Sequence, residues 1–138
     1  MAKQFWVNLP VKDIIKSKAF FTNLGFSFTA EHDNSNEAAG LIIGDQNVVV
    51  MLFAESAFQK FTRNEITDTK QSTEVLFSID ARSRDEVDEM AKKAVQAGGT
   101  IFSDPGEHEG WMYGCGFADL DGHRWNVLYM DMSKMQKM

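Results

Sequence analysis

The sequence has little cysteine and few basic residues. Cys115 is the single cysteine among 138 residues, so an intrachain disulfide is excluded and a reducing compartment is expected. Lys and Arg number 14 against 20 Asp and Glu, and this acidic balance without a basic cluster argues against nucleic acid and membrane surfaces as partners. No apolar run approaches the roughly 20 residues of a membrane helix. The N-terminal residues lack the apolar core of a signal peptide. We therefore expect a cytoplasmic protein.

The composition is that of a globular domain with an aromatic-rich core. Hydrophobic residues make up 43% of the chain, and Phe alone occurs 11 times. A chain of this length can bury a substantial core. We expect a single domain over residues 1–138. Its expected parts are a first module over 1–61, a polar linker over 62–72 and a second module over 73–138.

Two amphipathic helices, each closed by glycine, divide the predicted strands into two similar sets. Asp13 is a good N-cap for a helix that ends at Gly25, and Ser83 opens a capping box for a helix that ends at Gly98. Both halves therefore read β-α-β-β-β. Strands are predicted over residues 4–11, 26–31, 38–43, 48–53, 73–80, 100–103, 112–118 and 123–130, with a short helix over 54–61 and an acidic loop over 104–110.

Alternation within the first and last strands separates a core face from a second face. In the last strand, which follows a turn at residues 119–122, Trp125, Val127 and Tyr129 share one side. Arg124 and Asn126 share the other. In the first strand, Phe5, Val7 and Leu9 alternate with Trp6 and Asn8. We expect the first three in the core and Trp6 in a cavity.

The order of these segments resembles the vicinal oxygen chelate superfamily, which contains glyoxalase I, bleomycin-resistance proteins and extradiol dioxygenases. The resemblance is closest to glyoxalase-like bacterial proteins. It implies an α+β fold in which two βαβββ modules form a cupped, eight-stranded mixed sheet with the helices outside. The residues that carry it are those at 8–15, 19–26, 74–80, 97–99 and 117–126.

The resemblance also implies four positions where the family's enzymes hold a metal ion. They fall on Trp6, near Met51, on Glu74 and on Asn126. An indole does not ligate metals, a thioether is soft and an amide is a weak donor, whereas catalytic Zn, Ni or Mn sites need about three strong ligands. We therefore expect no metal cofactor and regard these positions as degenerate.

Three classes of function remain. The first is a protein of the bleomycin-resistance type that binds a small, largely apolar molecule in the cup. The second is a metal-dependent lyase or isomerase resembling lactoylglutathione lyase, which would require Zn, Ni or Mn at other residues. The third is a scaffold whose function is its dimer. We favour the first, with these candidate ligand-binding residues: Trp6, Asn8, Met51, Glu74, Arg124 and Asn126.

Several of these residues have alternative interpretations. Glu74 is a partly solvated carboxylate, or a cavity carboxylate that binds a ligand amine or acts as a base. Arg124 forms a salt bridge with Glu74 or binds an anion. Tyr113, like Trp111, lines a pocket, packs in the core or anchors a loop, and Cys115 is interpreted as inert.

The apolar content and the resemblance together predict a homodimer. Light scattering at micromolar concentration should give twice the mass of the 15.6 kDa chain. The mass of one chain would contradict this prediction.

Overall fold

The computed structural model describes residues 1–135, which form two compact units, Met1–Asp68 and a second unit that begins at Thr69. The first unit contains β1 (Val7–Val11), α1 (Ile14–Asn23), β2 (Ser27–Phe28), a 3-10 turn (Ala30–His32), β3 (Ala38–Ile43), β4 (Val48–Ala54) and α2 (Glu55–Thr62). The second contains β5 (Leu76–Asp80), α3 (Arg84–Gln96), β6 (Thr100–His108), β7 (Met112–Ala118), β8 (Arg124–Met130) and α4 (Met132–Met135). The predicted β-α-β-β-β order of both modules is confirmed. No helix in residues 1–135 is long and apolar enough to cross a membrane.

In the first unit, α1 covers one face of a four-stranded mixed sheet with the order β1-β4-β3-β2. Only β1 and β4 run parallel. Because side chains alternate along each strand, one set faces α1 and the other set is left on the opposite face. The buried strand residues include Leu9, Leu41, Val50 and Leu52, and α1 contributes the buried rings of Phe20 and Phe21. Burial of each large side chain contributes about 1.5–3 kcal/mol.

The second unit repeats this arrangement with α3 against a four-stranded sheet of order β5-β8-β7-β6. Here β5 and β8 are the parallel pair. The core face follows the predicted alternation of the last strand, since Trp125 and Val127 are buried, as is Val87 of α3. The eight strands thus pair as two four-stranded sheets, one in each unit.

Both predicted helix N-caps are confirmed. The Asp13 carboxylate accepts a hydrogen bond from the Lys16 amide at 3.0 Å. The Ser83 hydroxyl accepts one from the Glu86 amide at 3.1 Å, and the Glu86 carboxylate accepts one from the Arg82 amide at 3.2 Å. Such caps satisfy amide groups that the first helical turn leaves unpaired.

The boundaries of four strands differ from those predicted, among them β5, which begins at Leu76 and not at residue 73. The segment 104–110 was predicted as a loop, but β6 continues to His108 because register shifts around Ser103 and Gly106 carry the ladder past Pro105. β2 is shorter than predicted, because the 3-10 turn at Ala30–His32 replaces its second half. β1 begins only at Val7, so Phe5 is 80% exposed and the prediction that it joins the core is wrong.

A buried carboxylate organises the turn between β7 and β8. Asp119, which is 6% exposed, accepts hydrogen bonds from the amides of Asp121 and His123 at 3.0 Å each and from the Trp125 indole at 3.1 Å. Burial raises the pKa of Asp119, while the charge of His123 and the bond from Trp125 act in the opposite direction. Gly122 takes the positive φ of 82° that this turn requires. The predicted turn therefore also anchors the largest core side chain of the second unit.

Asp119→Ala should lower the free energy of unfolding by about 2–4 kcal/mol, because it removes these hydrogen bonds, among them the bond from the buried Trp125 indole. Chemical denaturation measures the change. Asp45→Ala is the matched control, since Asp45 is an exposed residue in the β3–β4 turn, and it should change stability by less than about 0.5 kcal/mol. Equal losses in the two variants would contradict this role of Asp119.

A glycine in β7 makes room for an aromatic side chain on the face opposite α3. Phe102 belongs to the neighbouring strand β6, and its ring covers Gly116. A β-carbon at Gly116 would overlap this ring. Gly40 of β3 occupies a similar place in the first unit, where a β-carbon would lie 2.6 Å from Thr29 Oγ1. Both glycines therefore permit a close approach on the face that the helix does not cover.

Gly116→Ala should cost about 1–3 kcal/mol of stability, because the new methyl group must displace the Phe102 ring. Gly106→Ala is the control, since its β-carbon would meet its nearest atom at 3.8 Å, and it should stay within about 1 kcal/mol of the parent. Thermal or urea unfolding distinguishes the two. Adding Phe102→Ala to Gly116→Ala should remove part of the steric cost, so that strictly additive losses would argue against the overlap.

Candidate binding faces of the two sheets

On the face of the first sheet that α1 does not cover, residues of three neighbouring strands lie side by side. Asn8 of β1 pairs with Met51 of β4, and Met51 pairs with Gly40 of β3. The predicted ligand-binding residues Asn8 and Met51 are therefore direct neighbours. Thr29 lies over Gly40, close to the Met51 sulfur. Asn8 is exposed and Met51 is partly buried.

A groove of about 640 Å³ opens on this face of the first unit, and we refer to it as the Trp6 groove. Its apolar wall consists of Phe5, Trp6, Val48, Val49, Met51 and Phe53. Its polar lining consists of Gln4, Gln46 and Asn47. The Trp6 side chain is 52% exposed, so a large part of the indole lies open to solvent. The sequence suggested Trp6 and Met51 for this cavity but missed Phe53, which alternation from Met51 would have indicated.

The second sheet presents a different, more polar face. Arg124 and Asn126 lie on the face of β8 that α3 does not cover, where they pair with Leu76 and Ser78 of β5. The Arg124 guanidinium carbon lies 4.5 Å from the centroid of the Phe102 ring. The sequence analysis did not identify Phe102 as a candidate residue. The feature that could have indicated it is Gly116 on the paired strand β7, which leaves space for the Phe102 ring.

Glu74 lies outside this group of residues. It is exposed and occupies a bend before β5, which begins at Leu76 rather than at residue 73. Among residues 1–135 no salt bridge joins Arg124 to Glu74, so the suggested pair is not formed.

The registers of the two sheets identify corresponding positions in the two units. Ser78, Asn126 and Gly116 pair in the same way as Asn8, Met51 and Gly40. Two residues before Asn8, on the same side of the chain, is Trp6. Two residues before Ser78 is Leu76. By this register Glu74 corresponds to Gln4, and Leu76 takes the position of Trp6.

The four positions that the family resemblance implied, Trp6, Met51, Glu74 and Asn126, do not fit a catalytic divalent metal. They supply an indole, a thioether, one carboxylate and an amide, whereas such sites need about three strong nitrogen, oxygen or sulfur ligands. Within residues 1–135, no three His, Cys, Asp or Glu side chains are grouped so that they could hold an ion.

The remaining candidate residues have structural contacts. Tyr113 connects β7 to α3, since its hydroxyl donates a hydrogen bond to Asp88 at 2.6 Å, and this bond raises the pKa of Tyr113. Glu107 pairs with Arg84, whose guanidinium lies 5.0 Å from the centroid of the Tyr113 ring. Burial raises the pKa of Cys115 to about 11, so the thiol stays protonated at neutral pH and is a poor nucleophile.

Several solved structures share this architecture. A hypothetical protein from S. aureus is 32% identical with a TM-score of 0.84, and the alignment covers 94% of this chain and 95% of that one. A glyoxalase/bleomycin resistance protein/dioxygenase family enzyme from Burkholderia phytofirmans PsJN is 21% identical with a TM-score of 0.75, covering 91% and 96%. A glyoxalase-related enzyme from Fulvimarina pelagi is 18% identical with a TM-score of 0.77, covering 93% and 88%. The last two similarities support the fold alone.

Family membership rests on both sequence and fold. No curated protein matches the chain. Residues 3–127, which run from before β1 into β8, match the sequence model of one protein family. Because this match covers most of the sequence and agrees with the observed fold, the chain belongs to the Glyoxalase/Bleomycin resistance protein/Dioxygenase superfamily.

Proposed function

We propose that this protein binds a small, largely apolar molecule in the Trp6 groove and does so without a catalytic metal. The observation that carries the proposal is the half-exposed Trp6 indole in the wall of a groove of about 640 Å³. Ligand pockets of this size with mainly apolar walls are typical sites for small molecules.

The first unit leaves large apolar side chains exposed to water in the groove. Phe5 is 80% exposed and Trp6 is 52% exposed, although both line the same groove. Burying a large apolar side chain is worth about 1.5–3 kcal/mol, and a planar ligand stacked on the indole would recover part of this. The groove therefore favours a flat or aromatic ligand.

The polar lining restricts the chemistry of such a ligand. Gln4, Gln46 and Asn47 carry amides, which donate and accept hydrogen bonds but have no charge. A ligand with one or two amine or hydroxyl groups would match them. The sequence suggested Glu74 and Asn126 as groups that orient the ligand, and Glu74 also as a base. Both residues belong to the second unit, so they are tested by separate substitutions.

The alternative function is a metal-dependent lyase or isomerase of the lactoylglutathione lyase type. The side chains at the four implied positions, Trp6, Met51, Glu74 and Asn126, argue against it because only Glu74 supplies a strong ligand. One bound transition metal per chain in protein purified without chelator would favour the lyase instead. A homodimer and a cytoplasmic location complete the proposal.

Trp6→Ala should weaken the binding of an aromatic amine by about tenfold or more, roughly 1.4 kcal/mol, because the stacking surface is lost. Calorimetric titration with phenethylamine, followed by amines selected in a ligand-detected NMR screen, measures the effect. Glu74→Gln and Asn126→Ala in the same titration report any contribution from the second unit.

Ile15→Ala is the matched control for Trp6→Ala. Ile15 is 65% exposed on α1 of the same unit and does not line the groove, so its loss should leave affinity unchanged. If the wild-type protein binds no compound in the screen, or if both variants bind equally, the groove is not a ligand site.

A further inference from the structure

We propose that the uncovered face of the second sheet binds an aromatic carboxylate, with Arg124 as the anion-binding group and Phe102 and Leu76 as the apolar contact surface. This site is formed by residues of the second unit, whereas the Trp6 groove is lined by residues of the first. It assigns a second ligand chemistry, an organic anion, to a protein whose net charge is −6.

The first observation is the fixed position of the Arg124 guanidinium. Its carbon lies 4.5 Å from the centroid of the Phe102 ring, and that ring is held over Gly116. Stacking on an aromatic ring leaves the edge of the guanidinium free to form paired hydrogen bonds with a carboxylate. The group is therefore oriented before any ligand arrives, which lowers the entropic cost of binding.

The second observation is that Arg124 Nε is buried and has no hydrogen-bond partner. Buried donors without an acceptor are rare in folded proteins, so each one calls for an explanation. An anion that accepts from Nε and a terminal nitrogen of Arg124 would satisfy this donor. Paired bonds of this kind are the usual geometry between arginine and carboxylate.

Arg84 of the same unit is a useful comparison for Arg124. Arg84 also lies over an aromatic ring, 5.0 Å from the centroid of Tyr113, but it has a carboxylate partner in Glu107. No salt bridge to Arg124 is formed within residues 1–135. The two arginines share one arrangement, but of the two only Arg84 has a carboxylate partner in the described part of the chain.

The neighbouring residues indicate an anion with an apolar body. Leu76, which pairs with Arg124 in the sheet, is 50% exposed, and Phe102 is 37% exposed. Asn126 and Ser78 pair with each other on the same face and offer amide and hydroxyl donors beside the guanidinium. A flat ring would cover the apolar residues while its carboxylate meets the donors, as in benzoate.

The first test uses benzoate and the wild-type protein. Benzoate should shift the Arg124 Nε–Hε signal in a ¹⁵N–¹H NMR spectrum, whereas benzamide, which has the same shape without the charge, should not. Inorganic phosphate should shift the signal less than benzoate, because it cannot cover Leu76 and Phe102. Equal shifts with benzamide would overturn the assignment of a charged ligand, and equal shifts with phosphate would overturn the aromatic one.

The second test compares two arginine variants. Arg124→Gln should weaken benzoate binding by at least tenfold in a titration followed by backbone amide shifts, while Arg84→Gln should leave it unchanged. Phe102→Leu keeps an apolar side chain over Gly116 and should weaken binding severalfold. If Arg124→Gln binds benzoate as the wild type does, or if Arg84→Gln loses affinity equally, the site is not at Arg124. Because the wild-type spectra report on Arg124 directly, the proposal stays testable even if a variant fails to fold.

Discussion

The parallel pairing of the first and last strands in each unit is the constraint on which the other features depend. A parallel pair cannot be joined by a tight turn and needs a long connection. In the first unit that connection is α1 with β2 and β3, and in the second it is α3 with β6 and β7. The helix in each connection covers one face of the sheet, so alternate residues of the paired strands are left on the other face.

Equivalent positions on those uncovered faces carry different chemistry. The first unit has Asn8 beside Met51 and a half-exposed Trp6, which form or border an apolar groove. The second unit has Ser78 beside Asn126, with an arginine stacked on a phenylalanine nearby. Neither face concentrates strong metal donors at the corresponding positions, although the family to which the chain belongs includes metal-dependent enzymes. Because a fold can host unrelated functions, the proposals rest on the side chains at these faces and not on the family.

The turn that leads into β8 determines which residues of this strand lie on each face of the second sheet. Asp119 holds Trp125 in the core through a hydrogen bond to its indole, and β8 then directs Arg124 and Asn126 to the opposite side. The carboxylate is nearly inaccessible to solvent, and its acceptor sites are used by the turn amides as well as by the indole. The position of the polar face thus depends on a buried polar contact in the turn.

The sequence by itself determined the order of the elements, both helix caps and the two sides of β8, because capping and side-chain alternation are local rules. Only the tertiary structure decided where β1 and β6 begin and end, since pairing with neighbouring strands overrides local composition. For this reason Phe5 lies in a groove and not in the core, and the segment after Ser103 continues as a strand. The stacking of Arg124 on Phe102 was also beyond local rules, because it requires Gly116 on a different strand to leave space for the ring.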